Sequence, residues 1–234
     1  MAKGMIHNRD VFLENISKNL GRKRRMDNVG QPLKQLQPQT KVFKNLSSDA
    51  LLKKLKDQCK RIHTEILETD TASLTEVLAD LISVHGNGPI VTSEDSRFFD
   101  YGLRIFLERD DVLTWDPSRG QENIDYAERS NVGIMFSDIT LAESATVVHF
   151  NDREKARSIS LLPTTYIAII PKSTIVPRFT QAAQEIDKRI AAGETIASCV
   201  NFISGPSNSA DIEYNLVVGV HGPVKVSYIV LLDR

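Results

Sequence analysis

Tyr166 to Ile170 is a continuous apolar run, closed by Pro163 before it and Pro171 after it. A strand of this kind has no polar face to offer water, so both of its faces must be covered. Pro89-Ile90-Val91-Thr92 and Val132 to Phe136 read the same way. Between these runs lie stretches whose apolar residues recur at helical spacing. Buried strands alternating with amphipathic helices predict an α/β domain with an open, mostly parallel sheet flanked by helices. In such sheets ligands bind outside the carboxyl ends of the strands, and the search for a site starts there.

The spacing of Phe12, Leu13, Ile16 and Leu20 predicts a first helix, stopped by Gly21. A second is expected after Ser47-Ser48-Asp49, with Leu51, Leu52, Leu55, Cys59 and Ile62 as its apolar stripe. Residues 1–61 are read as a basic helical extension and 62–234 as the α/β domain. Ser73-Leu74-Thr75-Glu76 has the form of a capping box opening a helix that carries Leu74, Val77, Leu78 and Leu81. One helix is expected over Arg97 to Arg109 and a polar one over Glu122 to Arg129. A further helix should have Pro177 in its first turn and Gly193 past its end. Val112 to Trp115, Ala145 to Phe150, Cys199 to Ser204 and Val224 to Leu232 complete the strands.

With 41% hydrophobic and 25% charged residues in 234, the composition excludes a disordered chain. No apolar run approaches the ~20 residues of a membrane span, and the polar stretch Met1 to Asp10 gives no expectation of a secretory leader. Two cysteines, Cys59 and Cys199, cannot hold a four-cysteine zinc or iron–sulfur site, and they point to the reducing cytoplasm. Residues 1–60 hold 14 Lys/Arg against 5 Asp/Glu, and the remainder 15 against 25. Arg22 to Arg25 has no interleaved aromatic residues, so a docking patch is preferred to a nucleic-acid arm.

Three polar segments carry the candidate chemistry. Ser137 to Thr146 places Asp138, Glu143, Ser144 and Thr146 beside apolar runs. A carboxylate there can act as nucleophile, base or ligand, or the segment can be a turn that satisfies its own amides. Gly205 to Glu213, with Ser207, Ser209 and Asp211, could cradle a phosphate or carboxylate on successive amides, or form a capped short helix. His221, set between Gly219 and Gly222, is an acid, base or anion donor, or a structural hydrogen-bonding residue. Lys172 adds a cation after the strand ending at Ile170, or sits on a solvated turn. His63, His85 and His149 have no ligand-like spacing and read as structural; no metal site is expected. Dinucleotide, P-loop, zinc-helix and nucleophile-elbow motifs are absent, and the cofactor is unknown.

The run Ser204 to Glu213 followed by Leu216 to Pro223 resembles the hallmark of the lactate-utilization (LUD) domain family. Phe136 to Ser144, Leu161 to Tyr166 and Pro171 to Arg178 resemble its other motifs, and the resemblance spans essentially the whole chain. One departure is Ala145, where the family commonly has glycine. The resemblance implies a fold similar to the sugar-phosphate isomerase and CoA-transferase superfamily. It also implies a cytoplasmic role in oxidation of L-lactate to pyruvate, as the non-iron–sulfur component beside two iron–sulfur partner proteins.

On that basis Glu143, His221 and Asp211 are candidate catalytic residues. Asp138, Ser144, Thr146, Lys172, Gly205, Ser207, Ser209, Glu213 and Gly222 are candidate ligand contacts for a small carboxylate or phosphate-bearing molecule. The alternatives are a non-catalytic scaffold or regulator, or an acyl-CoA transferase-like enzyme using Glu143. Whether the chain is an enzyme stays open. Deleting residues 1–40 is expected to harm assembly or solubility more than ligand binding at 205–221. Gel filtration with partner chains and a binding titration measure the two, and a truncated chain that assembles but loses ligand overturns the docking role.

Overall fold

The apolar runs become the middle of a parallel sheet. A computed structural model describes residues 6–26, 36–210 and 215–234. Its first elements are α1 (Arg9–Asn19), α2 (Ser48–Arg61), β1 (Glu65–Thr69), α3 (Leu74–Val84), β2 (Ile90–Thr92), α4 (Arg97–Asp100) and α5 (Arg104–Leu107). There follow β3 (Val112–Thr114), α6 (Gln121–Arg129), β4 (Val132–Phe136), β5 (Ile139–Leu141), β6 (Thr146–Asn151), α7 (Ser158–Leu161) and β7 (Thr165–Pro171). The last are β8 (Ile175–Val176), α8 (Phe179–Ala191), β9 (Cys199–Ile203), β10 (Asn208–Ala210), β11 (Leu216–Val218) and β12 (Lys225–Leu231).

The main sheet has six strands in the order β1-β12-β7-β4-β2-β3, every pair parallel. Side chains alternate across it. Tyr166, Ala168 and Ile170 of β7 face one side with Leu51, Leu55 and Cys59 of α2, Ala127 of α6 and Ile159 of α7. Ile167 and Ile169 face the other with Leu74, Leu78 and Leu81 of α3, Phe98 and Phe106. A second sheet, β8-β5-β6-β9, lies against the first of these faces. Val147 joins the main core, while Val148 and Phe150 point outward under Ala182 and Ile186 of α8.

Two units are distinguished, Met1–Pro38 and Gln39–Arg234. The first contains α1 and an Arg24–Asp10 ion pair of 2.7 Å. Helix α2 contributes Leu51, Leu52, Leu55 and Cys59 to the core of the second. Ser47 caps α2 by accepting the Ala50 amide at 3.2 Å.

Four local expectations are corrected. The helix over 97–109 is broken, because Gly102 at φ +80° turns the chain between α4 and α5. Ser73 makes no side-chain cap; the Asp70 carboxylate accepts the Ser73 amide at 2.9 Å instead. Pro177 precedes α8, where the Gln181 side chain accepts the Arg178 amide at 3.0 Å. The short helix considered at 205–213 is replaced at 208–210 by strand β10, paired antiparallel with β11.

Gly133 shows how tightly the layers meet. A Cβ there would lie 2.0 Å from the Ile159 carbonyl oxygen and 3.0 Å from the Pro163 ring. The strand can pack under α7 only without a side chain. Gly133→Ala is expected to lower the unfolding free energy by about 3 kcal/mol through overpacking. Urea denaturation reads this, and an unchanged midpoint would show that α7 lifts away freely.

Candidate functional site

The chain leaves β2 toward β3 at one edge of the sheet and leaves β4 toward β7 in the other direction. The gap between β2 and β4 at their carboxyl ends is therefore a topological switch point, the preferred ligand position in open α/β sheets. The loops that flank it are Ser93 to Ser96 and Ser137-Asp138.

Arg97 joins the two loops. Its Nε and Nη2 donate to the two carboxylate oxygens of Asp95 at 2.9 and 2.6 Å. Nη2 also donates to Asp138 Oδ1 at 2.8 Å, and Nη1 to the Ser137 carbonyl at 3.0 Å. Its guanidinium covers the Phe136 ring at 5.0 Å. Lys155, from the turn after β6, adds 3.1 Å to Asp95 and 3.8 Å to Asp138. The second oxygen of Asp138 accepts the Phe150 amide at 2.9 Å. Burial opposes the charge on Asp95, but the hydrogen bonds and charge of Arg97, with Lys155 behind them, win and hold its carboxyl down at about 2. A carboxylate so stabilised is a weak base and a strong positioning anion.

Behind this cluster, His149 donates from Nδ1 to the Phe136 carbonyl at 3.1 Å and accepts the Tyr166 hydroxyl on Nε2 at 2.7 Å. Burial lowers its pKa to about 4 and raises that of Tyr166. The imidazole is neutral and structural, as its sequence context suggests. His85 lies elsewhere, against Ser227 at 2.9 Å.

Asp138 lines a cleft of about 640 Å³, with Phe150, Asn151, Lys155, Arg157 and Arg189 among its walls. Of the candidate catalytic and ligand-contact residues that the structure describes, Asp138 is the one at this cleft. Glu143 lies on a smaller groove beside Lys54 and Arg61 of α2, bound to Arg178 at 2.5 Å. Ser144 and Thr146 share a hydroxyl contact of 2.7 Å. Lys172 pairs with Asp49 at 2.5 Å.

Gly205 packs where a Cβ would meet the Ile62 carbonyl at 2.8 Å, just before β1. Ser207 donates its amide to the Pro223 carbonyl at 2.9 Å, and its hydroxyl accepts the His221 amide at 3.2 Å. Gly222 lies close to Ser207. Ser209 stands in β10 opposite Val217. Gly205, Ser207, His221 and Gly222 thus gather toward the amino ends of β1 and β12, opposite the Asp138 end of the sheet. Ser204 ties this group to the first segment by donating to the Ser144 carbonyl at 2.9 Å. Asp211 and Glu213 lie outside the described residues.

Sequence reasoning passed over Asp95, Arg97 and Lys155. A signal existed: Ser93-Glu94-Asp95-Ser96-Arg97 is a polar run directly after a buried strand, the same pattern that marked Ser137-Asp138.

A carboxyl depressed in the fold contributes stability above its ordinary value of 3.8 and loses it as pH falls toward 2. The shift at Asp95 corresponds to about 2 kcal/mol. Asp95→Asn is expected to be less stable at neutral pH and to show a shallower loss of stability between about pH 4 and 2. Denaturant titrations across that window measure it, and parallel pH profiles for parent and variant would refute the assignment.

A family model described as "LUD domain" matches residues 52–231. The chain is 56% identical over 240 residues to "Lactate utilization protein C" of Geobacillus sp. (strain WCH70), covering all of both chains. It is 53% identical over 234 residues to the protein of that name from Macrococcus caseolyticus (strain JCSC5402), again covering all of both. It is 52% identical over 240 residues to that of Bacillus subtilis (strain 168), with the same full coverage. Its fold is similar to the crystal structure of a DUF162 family protein from Deinococcus radiodurans. The TM-score is 0.57 at 15% identity, covering 80% of this chain and 99% of that one.

Proposed function

From the premise that the chain belongs to the LUD domain family, we propose that it acts in the utilization of L-lactate. In this reading it is the component without an iron–sulfur cluster in a system that oxidises lactate to pyruvate beside iron–sulfur partner proteins, and it binds a small anionic ligand. The observation that carries the reading is full-length similarity, at more than half identity, to proteins named for lactate utilization.

The thiol chemistry of the chain supports the division of labour. Cys59 is buried in α2, and burial pushes its thiol up to about 12. Cys199 opens β9 and donates to Asn201 at 3.3 Å. Neither cysteine stands in a run that could supply a cluster's ligands, so the electrons removed from lactate pass to another chain or to a cofactor held without thiolates. Ser207 and His221, joined through the His221 amide, offer polar groups for a carboxylate; Glu143 and Asp211 complete the proposed catalytic set.

A scaffolding role is the second reading, favoured by one feature: Glu143 is already held by Arg178 and so is not a free nucleophile. No helix among the described residues is long and apolar enough to cross a membrane.

Deleting the gene is expected to abolish growth on L-lactate as sole carbon source, with growth on glucose unaffected. Complementation with Glu143→Ala/His221→Ala separates the readings. Lost growth with a folded, assembled protein supports a working site, and full growth supports the scaffold. A deletion strain that grows normally on lactate refutes the lactate role.

A further inference from the structure

The cleft beside Asp138 carries two features that the lactate reading leaves unused: cations without a counter-ion and a buried acceptor without a donor. Its volume of about 640 Å³ lies within the ~300–1,000 Å³ of sites that hold drug- and cofactor-sized molecules. A three-carbon acid would leave most of it empty. One wall is the turn after β6, Asn151 to Arg157. The other is the segment Glu194 to Cys199 between α8 and β9.

Lys155 is engaged by Asp95 and Asp138. Arg189 is engaged by Glu185 at 3.1 Å and by the Phe150 ring at 4.5 Å. Arg153 and Arg157, on the same wall, are exposed and have no ion-pair partner among the described residues. Asp152, next to Arg153, forms no ion pair with either arginine; its Oδ1 accepts the amides of Glu154 and Lys155 at 2.9 and 2.8 Å.

Asn151 provides the independent observation. The residue is 6% exposed. Its amide donates to the Lys155 carbonyl at 2.7 Å, which fixes its orientation. Its carbonyl oxygen is buried with no donor. Buried acceptors are normally satisfied, and this one belongs to a residue that lines the cleft, so a donor from what the cleft holds would complete it.

We propose that this cleft binds a hydroxyl-bearing organic anion with a doubly charged head. The head lies against the guanidiniums of Arg153 and Arg157, and a ligand hydroxyl donates to Asn151 Oδ1. Guanidinium forks fit phosphate and carboxylate alike, so the head is a phosphate monoester or a pair of carboxylates. Phe150, Ala156, Ile196 and Ala197 give the carbon frame an apolar surface. Glu194 and Asp138 in the lining favour a ligand rich in hydroxyls over a bare ion. The site goes beyond the lactate reading and stands without it, since it requires neither lactate nor a partner chain.

Isothermal titration of the full chain tests it with two families of probe. Glycerol 3-phosphate and adenosine monophosphate form the phosphate arm, and malate and citrate the carboxylate arm. Inorganic phosphate supplies the head alone. Saturable binding is expected in one arm, weakened at least ten-fold by Arg153→Ala/Arg157→Ala and unchanged by Lys188→Ala on the outside of α8. Asn151→Ala should weaken the hydroxylated probe but not inorganic phosphate. Because both arginines are exposed, their loss leaves the fold intact, which circular dichroism verifies. No saturable binding by any probe overturns the proposal, as does binding that survives removal of both arginines. Inorganic phosphate binding as tightly as the hydroxylated probes overturns the role of Asn151.

Discussion

Arg97 holds two strand-end loops that the sheet alone would leave apart. Parallel pairing brings β2 and β4 side by side, but it places Asp95 and Asp138 at neighbouring carboxyl ends where two bare carboxylates would repel. The guanidinium lies between them with donors to both, and Lys155 closes the far side. A buried set of charges is tolerated only when each is paired and hydrogen-bonded. Here the pairing also aligns the β6 turn with the sheet, so the cleft takes its shape from the same contacts that neutralise its floor.

The second sheet exists because of that alignment. Asp138 accepts the Phe150 amide, and Tyr166 donates to His149, so β6 is tied to β4 and β7 through polar groups as well as through Val147. At its other end the same strand begins after Ala145, whose φ of +50° turns the chain and whose carbonyl accepts the Tyr228 hydroxyl at 2.9 Å. The left-handed turn that glycine would make easily is held here by an alanine buried in the core. The substitution leaves the hairpin in place because the surrounding contacts over-determine it.

What could be read in the sequence follows from burial. Strands β4, β7 and β12 were legible because both faces are covered and their runs are mainly apolar. Strand β1 was not, since Glu65 and Glu68 on an edge break the apolar run. Helix 97–109 looked continuous because apolar spacing cannot register the turn at Gly102. Asp138 was legible from its place after a strand. Its partners were not, because Asp95, Arg97 and Lys155 come from loops 40 residues or more apart along the chain at the extremes, and only the strand order brings them together. For the same reason the sequence could not show that Gly205 to Gly222 gathers at the opposite end of the sheet from Asp138.

The charge split between the two parts of the chain changes meaning once topology is known. Six of the cations counted with residues 1–60 belong to the second unit, on or before α2: Lys41, Lys44, Lys53, Lys54, Lys56 and Lys60. Helix α2 packs its apolar face into the main core, so its lysines occupy the outer face of the α/β unit. Lys56 pairs with Glu68 of β1, and Lys54 lies over the Phe43 ring at 4.3 Å. Asp49 at the start of the same helix receives Lys172 from the end of β7. Part of the positive charge therefore answers acidic groups within one folded unit. The cations of the first part of the chain, Arg22 to Arg25 and Lys18 among them, are what a docking surface there can draw on.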